Sequence, residues 1–288
     1  MIRIKDADMR QYTTFRAGGH ASELVICDTR EELARTLSDL TESGQDFLML
    51  GNGSNTLFSD KGYPGTVIRL GKEFSEIAIH GEQAVCGSDA LLSMAAKLFL
   101  SAALTGFEFA SGIPGSIGGA LFMNAGAYGG EMKDIVISAE VMSRDGSSIR
   151  TVKTEDMDLS YRHSIFQSTG EIILSVTFGL RRGNKDQIAA EMRELARRRN
   201  EKQPVQYPSA GSFFKRPEGY FAGKLIQDAG LKGLAVGGAQ VSELHSGFII
   251  NRGGATATDI IRLMRLAQNT VYDKFGVRLE PEVRIVGD

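Results

Sequence analysis

The most restrictive stretch of this chain is residues 110–130, ASGIPGSIGGALFMNAGAYGG, in which seven of 21 residues are glycine. Each glycine inside a regular element costs about 0.5–1 kcal/mol relative to alanine, so such density persists only where the backbone must approach something closely. The stretch is too long for a hairpin turn, and a large flat or phosphate-bearing ligand accounts for it better. Upstream, the apolar run DFLML leads directly into GNGSN, residues 51–55. After a strand those residues ordinarily make a turn, because glycine and asparagine tolerate positive φ. The same residues also suit an anion-binding nest of backbone N–H groups, and this stretch alone leaves both alternatives open. A Walker loop is excluded because no Gly-Lys-Ser/Thr follows, and G-x-G-x-x-G fails because Thr56 stands at the third glycine position. Together the two segments predict two loops closing on one extended nucleotide cofactor.

Other function classes are disfavoured by composition. A net charge of -2 provides no global attraction for nucleic acid or membrane. Cys27 and Cys86 sit in the apolar runs ELVIC and AVCG without ligand spacing, which predicts reduced core thiols and a cytoplasmic protein. His20, His80, His163 and His245 are scattered, so no metal is expected. The N-terminus MIRIKDADMR has no apolar core of a signal peptide, and no apolar run is long enough to span a bilayer.

Hydrophobic periodicity predicts a compact α/β unit first: strand ASELVIC, a helix over Arg30–Glu42, strand DFLML and strand TVIRL. Short strands EIAIH and QAVCG, a helix over 90–104, the glycine-rich segment, a hairpin around RDGS and strand IILSVTFGL follow. A polar-faced helix over 184–200 ends in three arginines, where positive charge suits a helix C-terminus. Beyond Pro204 and Pro208 the composition changes, with a strand HSGFIIN, a helix over 258–274 stopped by Gly276, and a last strand EVRIV. The expected division is a first lobe over 1–70, a second over 71–203 joined by 279–288, and a substrate domain over 204–278.

GNGSN and GIPGSIGGALFMNAGAYG together resemble the flavin-binding domain of the vanillyl-alcohol-oxidase type. Seven ordered segments narrow the resemblance to the UDP-N-acetylenolpyruvoylglucosamine reductase family: YTTFRAGG, GNGSN, the glycine-rich stretch, YRHSIFQ, PSAGSFFKRP, AGKLIQDAGLKG and LEPEVRIVG. They cover the chain nearly end to end. The resemblance implies an α+β protein with a vanillyl-alcohol-oxidase-type (PCMH-type) FAD-binding fold of two α/β lobes and a C-terminal α+β substrate domain. It implies NADPH as reductant and UDP-N-acetylglucosamine enolpyruvate, a peptidoglycan precursor, as the molecule reduced. No histidine or cysteine lies within 51–59 or 110–130, so FAD is expected to be noncovalent.

Residue by residue, the resemblance places Gly51, Asn52, Gly53, Ser54 and Asn55 on the FAD pyrophosphate. It places Gly112, Pro114, Gly115, Ser116, Gly119, Ala125 and Gly126 along the flavin and the rest of the cofactor. Arg162, Ser212 and Glu282 are the implied catalytic residues, and Tyr161, Arg199, Lys202, Lys215 and Arg216 the implied substrate contacts. Reduction of an enolpyruvyl ether builds negative charge beside its carboxylate, which an arginine fork can hold. Apart from the resemblance, Arg162 reads as a surface ion-pair residue, Ser212 as a turn or cap hydroxyl, Glu282 as a paired carboxylate at a strand end, and the arginines as a solvated face. Fifty positions separate Arg162 from Ser212, too few for the inserted tyrosine loop of the family's longer branch. Two rivals are an FAD-dependent oxidase of the same superfamily acting on another substrate, and a nucleotide-binding module without catalysis.

Overall fold

The computed structural model describes residues 1–287, which form two compact units. The first comprises 1–4, 23–52 and 65–198; the second comprises 5–22, 53–64 and, of the described residues, 199–287.

A four-stranded sheet runs in the order Ile2–Asp8, His20–Cys27, Tyr63–Leu70, Phe47–Met49. Phe47–Met49 and Tyr63–Leu70 are parallel, joined by a glycine loop and a short strand, with Leu48 opposite Val67. The helix Arg30–Glu42 begins where Thr29 accepts a hydrogen bond from the Glu32 N–H, a side-chain cap of the kind that stabilises helix starts by about 1 kcal/mol. Leu33, Leu37 and Leu40 recur every three or four residues and pack with Val25, Cys27, Ile68 and Leu70 in one apolar cluster.

The first unit holds a five-stranded antiparallel sheet in the order Ile149–Lys153, Val136–Met142, Ile172–Gly179, Gln83–Gly87, Ile77–His80. The expected hairpin forms, Met142 facing Ile149 across the RDGS turn. The helix spans Leu92–Ser101, shorter at both ends than its apolar pattern predicts. Ala103 has φ +55, a left-handed conformation a continuing helix cannot adopt. Phe107 is the centre of this core, its ring edge-on to Phe99 at 5.0 Å and to Phe178 at 5.4 Å.

In the second unit the helix Ala257–Phe275 starts in a capping box between Thr256 and Asp259 and stops at Gly276, φ +69. Its buried face, from Ile260 to Val271, packs in a cluster with Phe15, Leu57, Phe213 and Leu279. A three-stranded antiparallel sheet runs Ala235–Val236, Ala239–Val241, Ile249–Asn251. The last strand, Arg284–Val286, runs parallel to Thr56–Phe58, residues that the division by sequence places in the first lobe. The helix Lys185–Lys202 buries only Ile188 fully, and Arg197 and Arg198 pair with Glu194 along its exposed face at 2.8 and 2.7 Å. No helix is long and apolar enough to cross a membrane among the described residues.

Candidate active site

In the first unit the two glycine-rich loops meet. A Cβ at Gly51 would stand 2.6 Å from the Ser116 Oγ, so a side chain there would push the serine hydroxyl from its present place. Ser116 is buried and its hydroxyl caps the short helix Ile117–Phe122 by accepting from the Gly119 N–H. Beside it, the Asn52 side-chain amide donates to the Pro114 carbonyl at 3.4 Å. Gly112, Pro114 and Gly119 are exposed, and no charged side chain lies within 51–55 or 112–126. Further along, the Ala125 carbonyl accepts from the Met132 N–H, and Gly126 pairs with Glu131 in a two-residue ladder.

Arg162 stands in a tight turn of the same unit. Ser160 and His163 exchange both backbone hydrogen bonds, at 3.2 and 3.1 Å, leaving Tyr161 and Arg162 at the tip. Arg162 has φ +56, a conformation that costs a residue with a side chain about 1–3 kcal/mol and persists only where the surroundings enforce it. Its guanidinium lies 5.0 Å from the centre of the exposed Tyr161 ring. The neighbouring Glu131 carboxyl is held below its usual range, first by a hydrogen bond from Lys133, then by Asn124 and the Arg162 charge, against the opposing effect of burial.

Ser212 and Glu282 belong to the second unit, where main-chain pairing brings them together. Residues 213–215 run antiparallel to 280–282: Phe214 faces Pro281, Glu282 N–H donates to the Phe213 carbonyl at 2.8 Å, and Lys215 N–H donates to the Glu280 carbonyl at 2.8 Å. Phe213 and Phe214 are buried and fix this ladder in the core, while Ser212 at its end is exposed. Asn55 fastens the other side. Its side-chain amide donates to the Glu282 carbonyl at 3.0 Å and its own carbonyl accepts from Arg284 N–H at 3.0 Å. Gly53, φ +63, is bare for a different reason: a Cβ there would lie 2.1 Å from the Tyr12 carbonyl.

The basic residues are dispersed. Arg199 and Lys202 occupy the last turn of Lys185–Lys202. Lys215 stands 3.5 Å from Glu280, and the Arg216 guanidinium lies 4.0 Å from the centre of the exposed Phe221 ring. No group of three histidine, cysteine or acidic side chains suited to a metal occurs among the described residues. Two amide side chains escape a motif-by-motif reading: the buried Asn124 and the exposed Gln167, which both bond to the turn bearing Arg162. The signal for Asn124 was its place before Ala-Gly in MNAG, since asparagine tolerates the φ of +41 found there.

Residues 203–286 match the family model described as UDP-N-acetylenolpyruvoylglucosamine reductase, C-terminal domain, and 21–152 match the one described as FAD binding domain. The UDP-N-acetylenolpyruvoylglucosamine reductase of Alkaliphilus oremlandii is 49% identical over 285 residues, covering 99% of this chain and 93% of that one. The chain belongs to the UDP-N-acetylenolpyruvoylglucosamine reductase family. The reductase of Caldanaerobacter subterraneus subsp. tengcongensis is also 49% identical, covering 97% of this chain and 92% of its own length. The crystal structure of the Thermus caldophilus reductase superposes with a TM-score of 0.86 at 38% identity, covering 99% and 98% of the two chains. The family fold is that of the whole chain: a mixed α and β protein with an FAD binding domain over 21–152 and the reductase C-terminal domain over 203–286. The uncharged edge made where Gly51 admits Ser116 fits FAD, because bare backbone and hydroxyl groups can approach a pyrophosphate without a competing carboxylate.

Proposed function

We propose that this chain catalyses the NADPH-dependent reduction of UDP-N-acetylglucosamine enolpyruvate to UDP-N-acetylmuramate, in peptidoglycan precursor synthesis, with noncovalent FAD. The observation that carries this is the end-to-end likeness to the reductase family, cofactor part and C-terminal part in one chain. FAD, when bound, supplies the two-electron chemistry between NADPH and the enolpyruvyl double bond. Gly51, Asn52, Ser116 and the exposed Gly112, Pro114 and Gly119 are the residues of the first unit that would hold it. In the second unit Ser54 belongs to the same assignment, whereas Gly53 and Asn55 serve it by fixing the loop.

The remaining chemistry belongs to side chains. Arg162 receives the substrate carboxylate and stabilises the charge that accumulates beside it; loss of one such donor typically costs about 2.7–4 kcal/mol of transition-state stabilisation. Tyr161 braces the guanidinium from below. Ser212 gives its hydroxyl proton to the carbon next to the carboxylate, which a serine can do when the acceptor is strongly basic and the hydroxyl is held in place. The ladder of 213–215 against 280–282 supports that hold. Glu282 shares in stabilising the charge or relays the proton that restores the serine. Arg199, Lys202, Lys215 and Arg216 supply positive charge for the UDP diphosphate. The division into lobes over 1–70 and 71–203 with 279–288 for FAD, and 204–278 for the UDP-sugar, is part of the same proposal, as is a cytoplasmic location.

An anaerobic visible spectrum tests the proposal directly. Flavin absorption should bleach on adding NADPH and return on adding the enolpyruvyl UDP-sugar. Absence of flavin after reconstitution with FAD, or bleaching that only oxygen reverses, would sink it.

A further inference from the structure

The left-handed Arg162 requires something to enforce it, and two side-chain amides are placed to do so. Asn124 is completely buried, and each of its polar atoms is used in only one sensible orientation. Its Nδ2 donates to the Ser160 carbonyl and to the Glu131 carboxylate, both at 2.9 Å, and its Oδ1 accepts from the Lys133 N–H at 2.9 Å. A flipped amide would set its oxygen against two acceptors. From the other side, the Gln167 Nε2 donates to the Arg162 carbonyl at 3.0 Å and to the Phe122 carbonyl at 2.9 Å. The Ser164 hydroxyl also donates to that Phe122 carbonyl, at 2.7 Å. The turn over 160–163 is thus gripped at two of its four carbonyls, and both grips lead back to the glycine-rich segment at Phe122 and Asn124.

We propose that Asn124 and Gln167 are positioning residues for Arg162, holding the turn in the conformation in which the guanidinium meets the substrate carboxylate. The proposal rests on the reading of Arg162 as the carboxylate-binding residue. Neither amide need touch substrate or flavin. Asn124→Asp keeps shape and the Lys133 bond but loses both donated bonds, whereas Gln167→Met removes the second grip from the surface, where the core is not disturbed.

The test uses FAD-loaded protein and measures the two half-reactions separately by stopped flow, with Arg162→Ala in parallel. Flavin content, melting temperature and hydrogen exchange of the segment 160–163 are followed in each variant. A displacement of about 1 Å costs on the order of 10²-fold in an oriented reaction, so Asn124→Asp should slow sugar reduction by about that factor and Gln167→Met by about 10-fold. Flavin reduction by NADPH should stay within about twofold, as expected for a loss confined to orientation. Exchange in 160–163 should rise in both variants. Equal slowing of both half-reactions, loss of flavin from Gln167→Met, or normal sugar reduction in both variants would overturn the proposal. If Asn124→Asp does not fold, Gln167→Met decides alone. Normal sugar reduction by Arg162→Ala would instead remove the assignment of Arg162, and with it the reason for the grip.

Discussion

Arg162 and the pair Ser212–Glu282 are held by opposite means. Arg162 sits at the tip of a four-residue turn in a conformation its side chain disfavours, kept there by amides reaching from Asn124 and Gln167. Ser212 and Glu282 stand beside a short bridge of two main-chain hydrogen bonds, from Glu282 to Phe213 and from Lys215 to Glu280, whose phenylalanines are in the core. A strained turn can be lost through one amide. The bridge rests on main-chain bonds and buried rings, so it should depend less on any one polar side chain.

The sharpest way to break that contrast is to change the two proposed catalytic positions in parallel. Ser212→Ala should slow sugar reduction by about 10²–10⁴-fold, the usual range for a lost proton donor, with melting temperature unchanged. Arg162→Asn should slow the same step by about 10²–10³-fold. Its stability should nevertheless hold or rise by up to about 1 kcal/mol, because asparagine tolerates positive φ better than arginine. Denaturant titration that finds Arg162→Asn clearly less stable than the parent would mean the turn is not strained. A smaller effect is expected at the ladder's edge: Asn55→Ala removes one bond to Glu282 and should cost about 0.5–1.5 kcal/mol of stability. A larger loss would show that the ladder depends on its side-chain clamp as the turn does.

The smallest expected effect is on pH. Burial holds the His245 ring below its usual 6.5, and its Nδ1 accepts from the Gly247 N–H at 3.0 Å, which requires that nitrogen unprotonated. Gly247 in turn accepts from Phe213 N–H at 2.8 Å. The unfolded chain binds the proton more readily than the folded one, so stability should fall as pH drops from about 6.5 towards the depressed folded value. Melting curves of His245→Asn should lack that slope; an unchanged slope would place its origin elsewhere.

Elements with strong local signals were legible from sequence. The helix Arg30–Glu42 has a capping threonine and a leucine stripe, and Ala257–Phe275 has a capping box and a stopping glycine, so composition and period suffice. The strand Thr56–Phe58 was not legible, because three residues carry no period and this strand exists only through its pairing with Arg284–Val286. At the site, GNGSN announced a special loop but not its division of labour. Gly51 makes room for Ser116, Gly53 for the Tyr12 carbonyl, and Asn55 reaches Glu282, a partner 227 positions away. Long-range partners leave no local trace. Asn124 was hidden in part for the same reason, since Glu131 and Lys133 are near in sequence but Ser160, in the turn it grips, is 36 positions away.

The bond between Asn55 and Glu282 also has a consequence in time. A chain emerging from the ribosome presents the loop at 51–55 long before its clamp, which lies 227 positions later at Glu282. Until residues 284–286 have emerged, the strand Thr56–Phe58 lacks its pairing partner, and Asn55 waits with it. A nascent chain stalled before residue 282 should therefore lose the loop to protease at this point while the helix Arg30–Glu42 is spared, and the arrival of 282–286 is itself the step that closes this part of the fold.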